Sequence, residues 1–82
     1  MDQDTLRLII RRKLAAGSLP QDSIPRFWGG RPDGEHCDAC EEVISADQLV
    51  IEGISATDNQ GLQLHVECFY LWDEERDVPG RT

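Results

Sequence analysis

The sequence predicts a small α+β domain laid out as an N-terminal helix, a cysteine knuckle, a β-hairpin and a C-terminal helix. Three observations predict it: an apolar stripe at helical spacing in residues 4–16, two cysteines two residues apart at 37 and 40, and a β-branched run followed by turn residues and a second helical pattern that begins "HVECFYLW". A chain of 82 residues makes one domain, and it buries too little surface for an apolar core alone to secure it. A covalent or metal staple is therefore expected.

Residues 4–16, "DTLRLIIRRKLAA", offer Asp4 or Thr5 as a helix N-cap, Gly17 as a C-terminal stop and Pro20 shortly beyond. At 100° per residue, Leu6, Ile9, Ile10 and Leu14 fall on one stripe, with Arg7, Arg11 and Arg12 outside it and Lys13 at its margin. Such a stripe must dock on something. The following "GSLPQDSIPRFWGGRPDG" reads as a Gly- and Pro-rich linker long enough to fold the helix back. Phe27 and Trp28 are too large to be left in water without cause. They are expected to pin the linker to the hairpin and the final helix, with partner binding as the other role open to Trp28.

The knuckle is "HCDACEEVI", residues 36–44. No stretch approaches the ~20 apolar residues that span a bilayer, and the N-terminus lacks the apolar core of a signal peptide. The chain is expected to be cytoplasmic, where structural disulfides are rare, and three cysteines would in any case leave one thiol over. A metal is the better staple. Cys68 supports this, because His65 and Cys68 repeat the i, i+3 spacing of Cys37 and Cys40. Structural zinc takes four sulfur and nitrogen ligands, commonly as two close pairs, and Cys37, Cys40, His65 and Cys68 form such a set. In the first pair a tight turn converges two sulfurs. In the second, residues three apart share a helix face, and the helix N-terminus favours thiolate. His36 adjoins Cys37 but is read as a flanking residue. Burial of the cysteines as small hydrophobes, or redox work by Cys37 and Cys40, explains the pairing less well, since no βαβ context surrounds it.

Residues 48–54, "QLVIEGI", read as the first hairpin strand, "TDNQG" at 57–61 as its turn, and "LQLH" as the second strand. Leu62 and Leu64 should share a face with Leu49 and Ile51 as partners, and Gly53 should mark a bulge or close backbone approach. Residues 65–76 read as a helix whose Val66, Phe69, Tyr70 and Trp72 cover one face while Glu67, Asp73, Glu74 and Glu75 stay solvated, with Pro79 and Gly80 as the stop.

Charge divides the chain. Residues 1–31 hold six Lys and Arg against three Asp and Glu, a net +3, whereas residues 32–82 hold two against thirteen, a net −11. The second part should repel a polyanion, so nucleic-acid binding would rest on Arg7, Arg11, Arg12 and Lys13 of the first helix. That basic run is more simply a solvated face, or a surface that pairs with the acidic part of its own chain or a second copy.

The run "CDAC" followed by "LHVECFYLWDEER" resembles a group of small, largely uncharacterised bacterial proteins with a C-x-x-C, hairpin, H-x-x-C-F-x-x-W arrangement. The ligand order is also similar to the fingers of poly(ADP-ribose) polymerases and to half of a LIM domain. The resemblance covers residues 36–76 and implies a treble-clef-like zinc finger: a knuckle, a hairpin and a helix whose start supplies the last two ligands. It places the ligands at Cys37, Cys40, His65 and Cys68. The acidic module departs from the basic, DNA-binding polymerase fingers, and ligands for one zinc depart from the paired sites of LIM domains.

Four protein ligands close the zinc shell, and no nucleophile and base pair, P-loop or dinucleotide fingerprint occurs, so an enzyme is not expected. The expected organisation is an N-terminal helix and linker over 1–35, a zinc module over 36–78 and a tail over 79–82. The expected function is a small protein built on one Zn²⁺ that serves as a protein-interaction or regulatory module. A nucleic-acid-binding regulator, or a thiol redox or zinc sensor, is the alternative. The expected partner is another protein, not a membrane.

Overall fold

The computed structural model describes residues 2–21, 26–54 and 61–76. Helix α1, Gln3–Ala16, is capped by Asp2, whose side chain accepts a hydrogen bond from the Thr5 N–H at 3.1 Å. The cap therefore lies two residues ahead of the expected Asp4, because Asp2 is the carboxylate that reaches an unpaired first-turn N–H. At the other end Gly17 takes φ 79°, its N–H donating to the Leu14 carbonyl at 3.2 Å while the Ser18 N–H donates to Lys13 at 2.8 Å. That pair of bonds is a Schellman motif, which requires a left-handed residue where glycine is least strained. Leu6, Ile10 and Leu14 are buried, and Ile9 only partly.

Residues beyond α1 are not simply linker. Arg26–Gly30 form strand β1, which pairs antiparallel with β2, Val50–Ile54, in a register that sets Trp28 opposite Glu52. Strand β3, Gly61–His65, pairs with the other side of β2, so the expected hairpin is part of a three-stranded sheet in the order β1-β2-β3. The pattern of β1 escaped the sequence because Phe27 and Trp28 are adjacent and so point to opposite faces, and two glycines follow them. Phe27 lies against Phe69 of the second helix, ring centroids 5.0 Å apart, while the Trp28 indole N–H donates to Glu52 at 3.0 Å. Both aromatics thus pin their segment, as expected of them.

Ile51 opposes Leu64 as anticipated, but Leu62 opposes Gly53, and Leu49 precedes the strand and is 56% exposed. The register runs through Gly53 with no bulge. Most of the expected turn, residues 57–60, and the Pro79–Gly80 stop lie outside the described residues.

Helix α2, Val66–Arg76, buries Cys68, Leu71, Trp72 and Glu75. This i, i+3, i+4, i+7 stripe differs from the expected face: Tyr70 is 61% exposed and Glu75 is 2% exposed. The polar residue at the fourth stripe position hid the pattern, and arginines from α1 make its burial tolerable. One core joins Leu6, Ile10 and Leu14 to Leu64, Leu71, Trp72, Cys37 and Cys68, drawing on both halves of the chain. Trp72 buries its ring and donates its indole N–H to the Pro20 carbonyl at 2.9 Å, which ties the segment after α1 to α2. Among the described residues no helix is long and apolar enough to cross a membrane.

Candidate metal centre

The first pair of donors is shaped by a tight backbone loop. The Cys37 N–H donates to the Glu42 carbonyl and the Glu41 N–H to the Cys37 carbonyl, both at 2.9 Å, with Glu41 in the left-handed region at φ 67°. An isolated antiparallel bridge between His36 and Val43 closes the base of this loop, and Ala39 and Ile44 anchor it in the core. The loop then caps the outer edge of β3. Asp38 donates its N–H to the Gln63 carbonyl at 2.8 Å, and the Gln63 N–H returns a bond to the Asp38 carboxylate at 2.8 Å. This exchange sets the height of the loop beside the residue two positions on, His65.

His65 is the last residue of β3, and Cys68 lies in the first turn of α2. The strand-to-helix junction therefore falls between the two donors of the second pair, instead of both lying on the helix. The effect is convergence: the ligand atoms of Cys37, Cys40, His65 and Cys68 all lie within 4.8 Å of one another. His65 Nδ1 is 3.4 Å from Cys40 Sγ and 3.9 Å from Cys68 Sγ. Cys37 and Cys68 are 1% and 2% exposed, whereas Cys40 and His65 are half-buried. His36 is exposed and lies outside the cluster.

Electrostatics follow from that crowding. Cys37 is held down to about 4, first by a hydrogen bond from the Cys68 thiol, and against the cost of burial by the backbone N–H groups of Cys40, His65 and Ala39. The Ala39 N–H lies 3.4 Å from Cys37 Sγ. Cys68 is pushed up because it donates to Cys37 and is itself buried, and Cys40 is raised chiefly by desolvation. Three sulfurs this close cannot all ionise by themselves, but a divalent cation among them reverses the sign of the local field and deprotonates each coordinating thiol. Three thiolates and one imidazole can hold one metal ion.

The basic residues of α1 face this module. Arg7 bonds Glu75 at 2.9 Å and Glu74 at 2.8 Å, and Arg11 bonds the second oxygen of Glu75 at 2.6 Å. The Arg7 guanidinium is raised by Glu74 first and Glu75 next. Lys13 reaches the knuckle, donating to the Asp38 carbonyl and pairing with Glu41, each at 2.9 Å, which holds the Glu41 carboxyl below its usual range. Arg12 is exposed and makes no ion pair among the described residues. Of the residues considered for partner contact, Arg7, Arg11 and Lys13 thus engage their own chain, and Trp28 sits on the exposed strand β1. Sequence reading missed Glu75. Its one signal was a position seven residues beyond Cys68, which continues the buried stripe that holds that cysteine.

Compared with protein-family models, curated proteins and solved structures, the chain matches none of them.

Proposed function

We propose that the chain is a domain built on one structural Zn²⁺ that serves as a non-catalytic protein-interaction or regulatory module. The observation that carries the metal is the convergence of three sulfurs and one imidazole nitrogen within 4.8 Å. A tetrahedral zinc with Zn–S near 2.3 Å and Zn–N near 2.05 Å has S···N edges of about 3.6 Å and S···S edges of about 3.8 Å. The separations of His65 from Cys40 and Cys68, 3.4 and 3.9 Å, bracket that S···N edge. Softness agrees with size, since thiolate-rich tetrahedral sets select zinc over oxygen-seeking ions. The order of knuckle, hairpin strands and donor-bearing helix supports a treble-clef-like description.

A structural role follows from the donor count. Four protein donors complete the shell and leave no position for water or substrate, which a catalytic zinc keeps open. The ion would join the knuckle to the junction where β3 passes into α2, two parts of the chain with more than twenty residues of sequence between them. Such binding contributes on the order of 10 kcal/mol at neutral pH, comparable with the whole stability of a small domain. A nucleic-acid role is disfavoured, because Arg7, Arg11 and Lys13 are paired within the chain and residues 32–82 carry a net charge of −11.

Native mass spectrometry of the protein purified from cells should show one zinc ion, and chelation should strip much of the circular dichroism. An unchanged spectrum after the ion is removed would rule out a structural metal. Cys37→Ser and Cys68→Ser should be about as damaging as chelation, while His36→Ala should leave the metal in place.

A further inference from the structure

The three sulfurs are not equally placed. A cavity of about 360 Å³ opens beside the metal centre, lined by Cys40, His65 and Cys68 together with Leu6, Leu49 and Glu67. Cys37 and Cys68 expose 1% and 2% of their surface, so Cys40 is the sulfur that presents itself to this space. We propose that Cys40 is a hydroperoxide-reactive thiolate through which oxidation enters the metal centre, closing a disulfide with a neighbouring cysteine and expelling the ion. This rests on the metal-centre reading given above.

The chemistry balances with the oxidant as co-reactant. The Cys40 thiolate attacks the terminal oxygen of a hydroperoxide; the O–O bond breaks, an S–O bond forms, and the alkoxide leaves with a proton as alcohol, or as water from hydrogen peroxide. Sulfur is oxidised by two electrons and the peroxide is reduced by two. The thiolate of Cys37 or Cys68 then attacks the Cys40 sulfenic sulfur, the S–S bond forms, and hydroxide leaves with a proton as water. Two donors are lost at once. The remaining sulfur and His65 make half a shell, which does not hold zinc.

Geometry favours the second step as well as the first. Every sulfur of the cluster lies within 4.8 Å of the others, and an S–S bond of about 2.05 Å needs only local movement of the knuckle. The cavity also selects its oxidant. Leu6, Leu49 and Val66 give it apolar wall and Glu42 and Glu67 give it negative charge, which admits small neutral hydroperoxides and repels anionic oxidants such as glutathione disulfide.

The test uses the whole chain loaded with one zinc ion and treated with hydrogen peroxide in the presence of a chromophoric chelator. The expected result is release of the ion, loss of two hydrogens in the intact mass, a peptide map with a disulfide that includes Cys40, and recovery of zinc binding after dithiothreitol. Cys40→His keeps a nitrogen donor in place and should slow release about tenfold or more. Leu49→Trp leaves all four donors intact and narrows the cavity mouth, so release should slow several-fold with metal content unchanged. A disulfide joining Cys37 to Cys68, or release from Leu49→Trp at the original rate, overturns the proposal. A chain that holds zinc yet stays inert to peroxide sinks this inference alone, whereas a chain that takes up no zinc sinks the metal reading with it.

Discussion

Glu75 shows how a single side chain can decide which face of a helix is buried. Both of its oxygens are taken by arginines of α1, and its side chain is 3% exposed. Removing a buried partner leaves the remaining charges uncompensated, which costs 3–5 kcal/mol in a fully buried pair. Arg7 and Arg11 still reach water, so Glu75→Gln should cost less, about 2 kcal/mol, read from the urea midpoint of the zinc-loaded protein. Arg11→Ala alone, at a more exposed partner, should cost under about 1 kcal/mol. Equal losses for the two variants would show that the carboxylate has no special position. Gly17 offers a cleaner test of backbone. A Cβ there meets nothing within 4 Å, so Gly17→Ala should cost about 1–2 kcal/mol through the positive φ alone.

At the scale of elements, α1 depends on its cap and β1 on one aromatic contact. Hydrogen bonding from Thr5 holds the Asp2 carboxyl below its ordinary 3.8. A carboxyl depressed in the folded state stabilises it above the unfolded value, and the contribution disappears as pH falls through the folded one. Asp2→Asn keeps an acceptor without the titration, so the variant should lose less α1 helicity than the parent on acidification below about pH 4. Parallel acid curves for parent and variant would remove Asp2 from the account. For β1, Phe27 packs its ring against Phe69 at 5.0 Å but stays largely exposed. Phe27→Ala should cost about 1 kcal/mol and speed amide exchange across residues 26–30 more than across β3. Uniform protection in both strands would mean that backbone pairing alone holds β1.

For the whole molecule, α1 acts as a clasp over the candidate metal centre. Its apolar stripe enters the common core, its arginines grip α2, and Lys13 holds the knuckle by a carbonyl and a carboxylate. The cations would also offset charge in the metal-loaded state, since three thiolates on a divalent ion carry a net −1 beside an already acidic surface. Ile10 is fully buried at the centre of this contact. Ile10→Ala should cost about 3 kcal/mol with the metal present, as in other core truncations, and should raise the rate at which a chelator strips the ion. A variant that loses stability but keeps the stripping rate would separate the clasp from the metal centre.

By itself the sequence determined the parts whose signals are local. Cysteine and histidine spacing pointed to the four donors, a strong periodic stripe and a glycine stop gave α1, a β-branched run gave β2 and alternation gave β3. It did not reveal β1, because adjacent aromatics carry no period-two signal, nor the buried face of α2, because Glu75 occupies a position that local hydrophobicity assigns to solvent. Those were decided by tertiary structure, where strand pairing and two arginines sixty-odd residues away supply what the segment lacks. A charge becomes an acceptable core residue only when its partners arrive, and their arrival is a property of the folded chain.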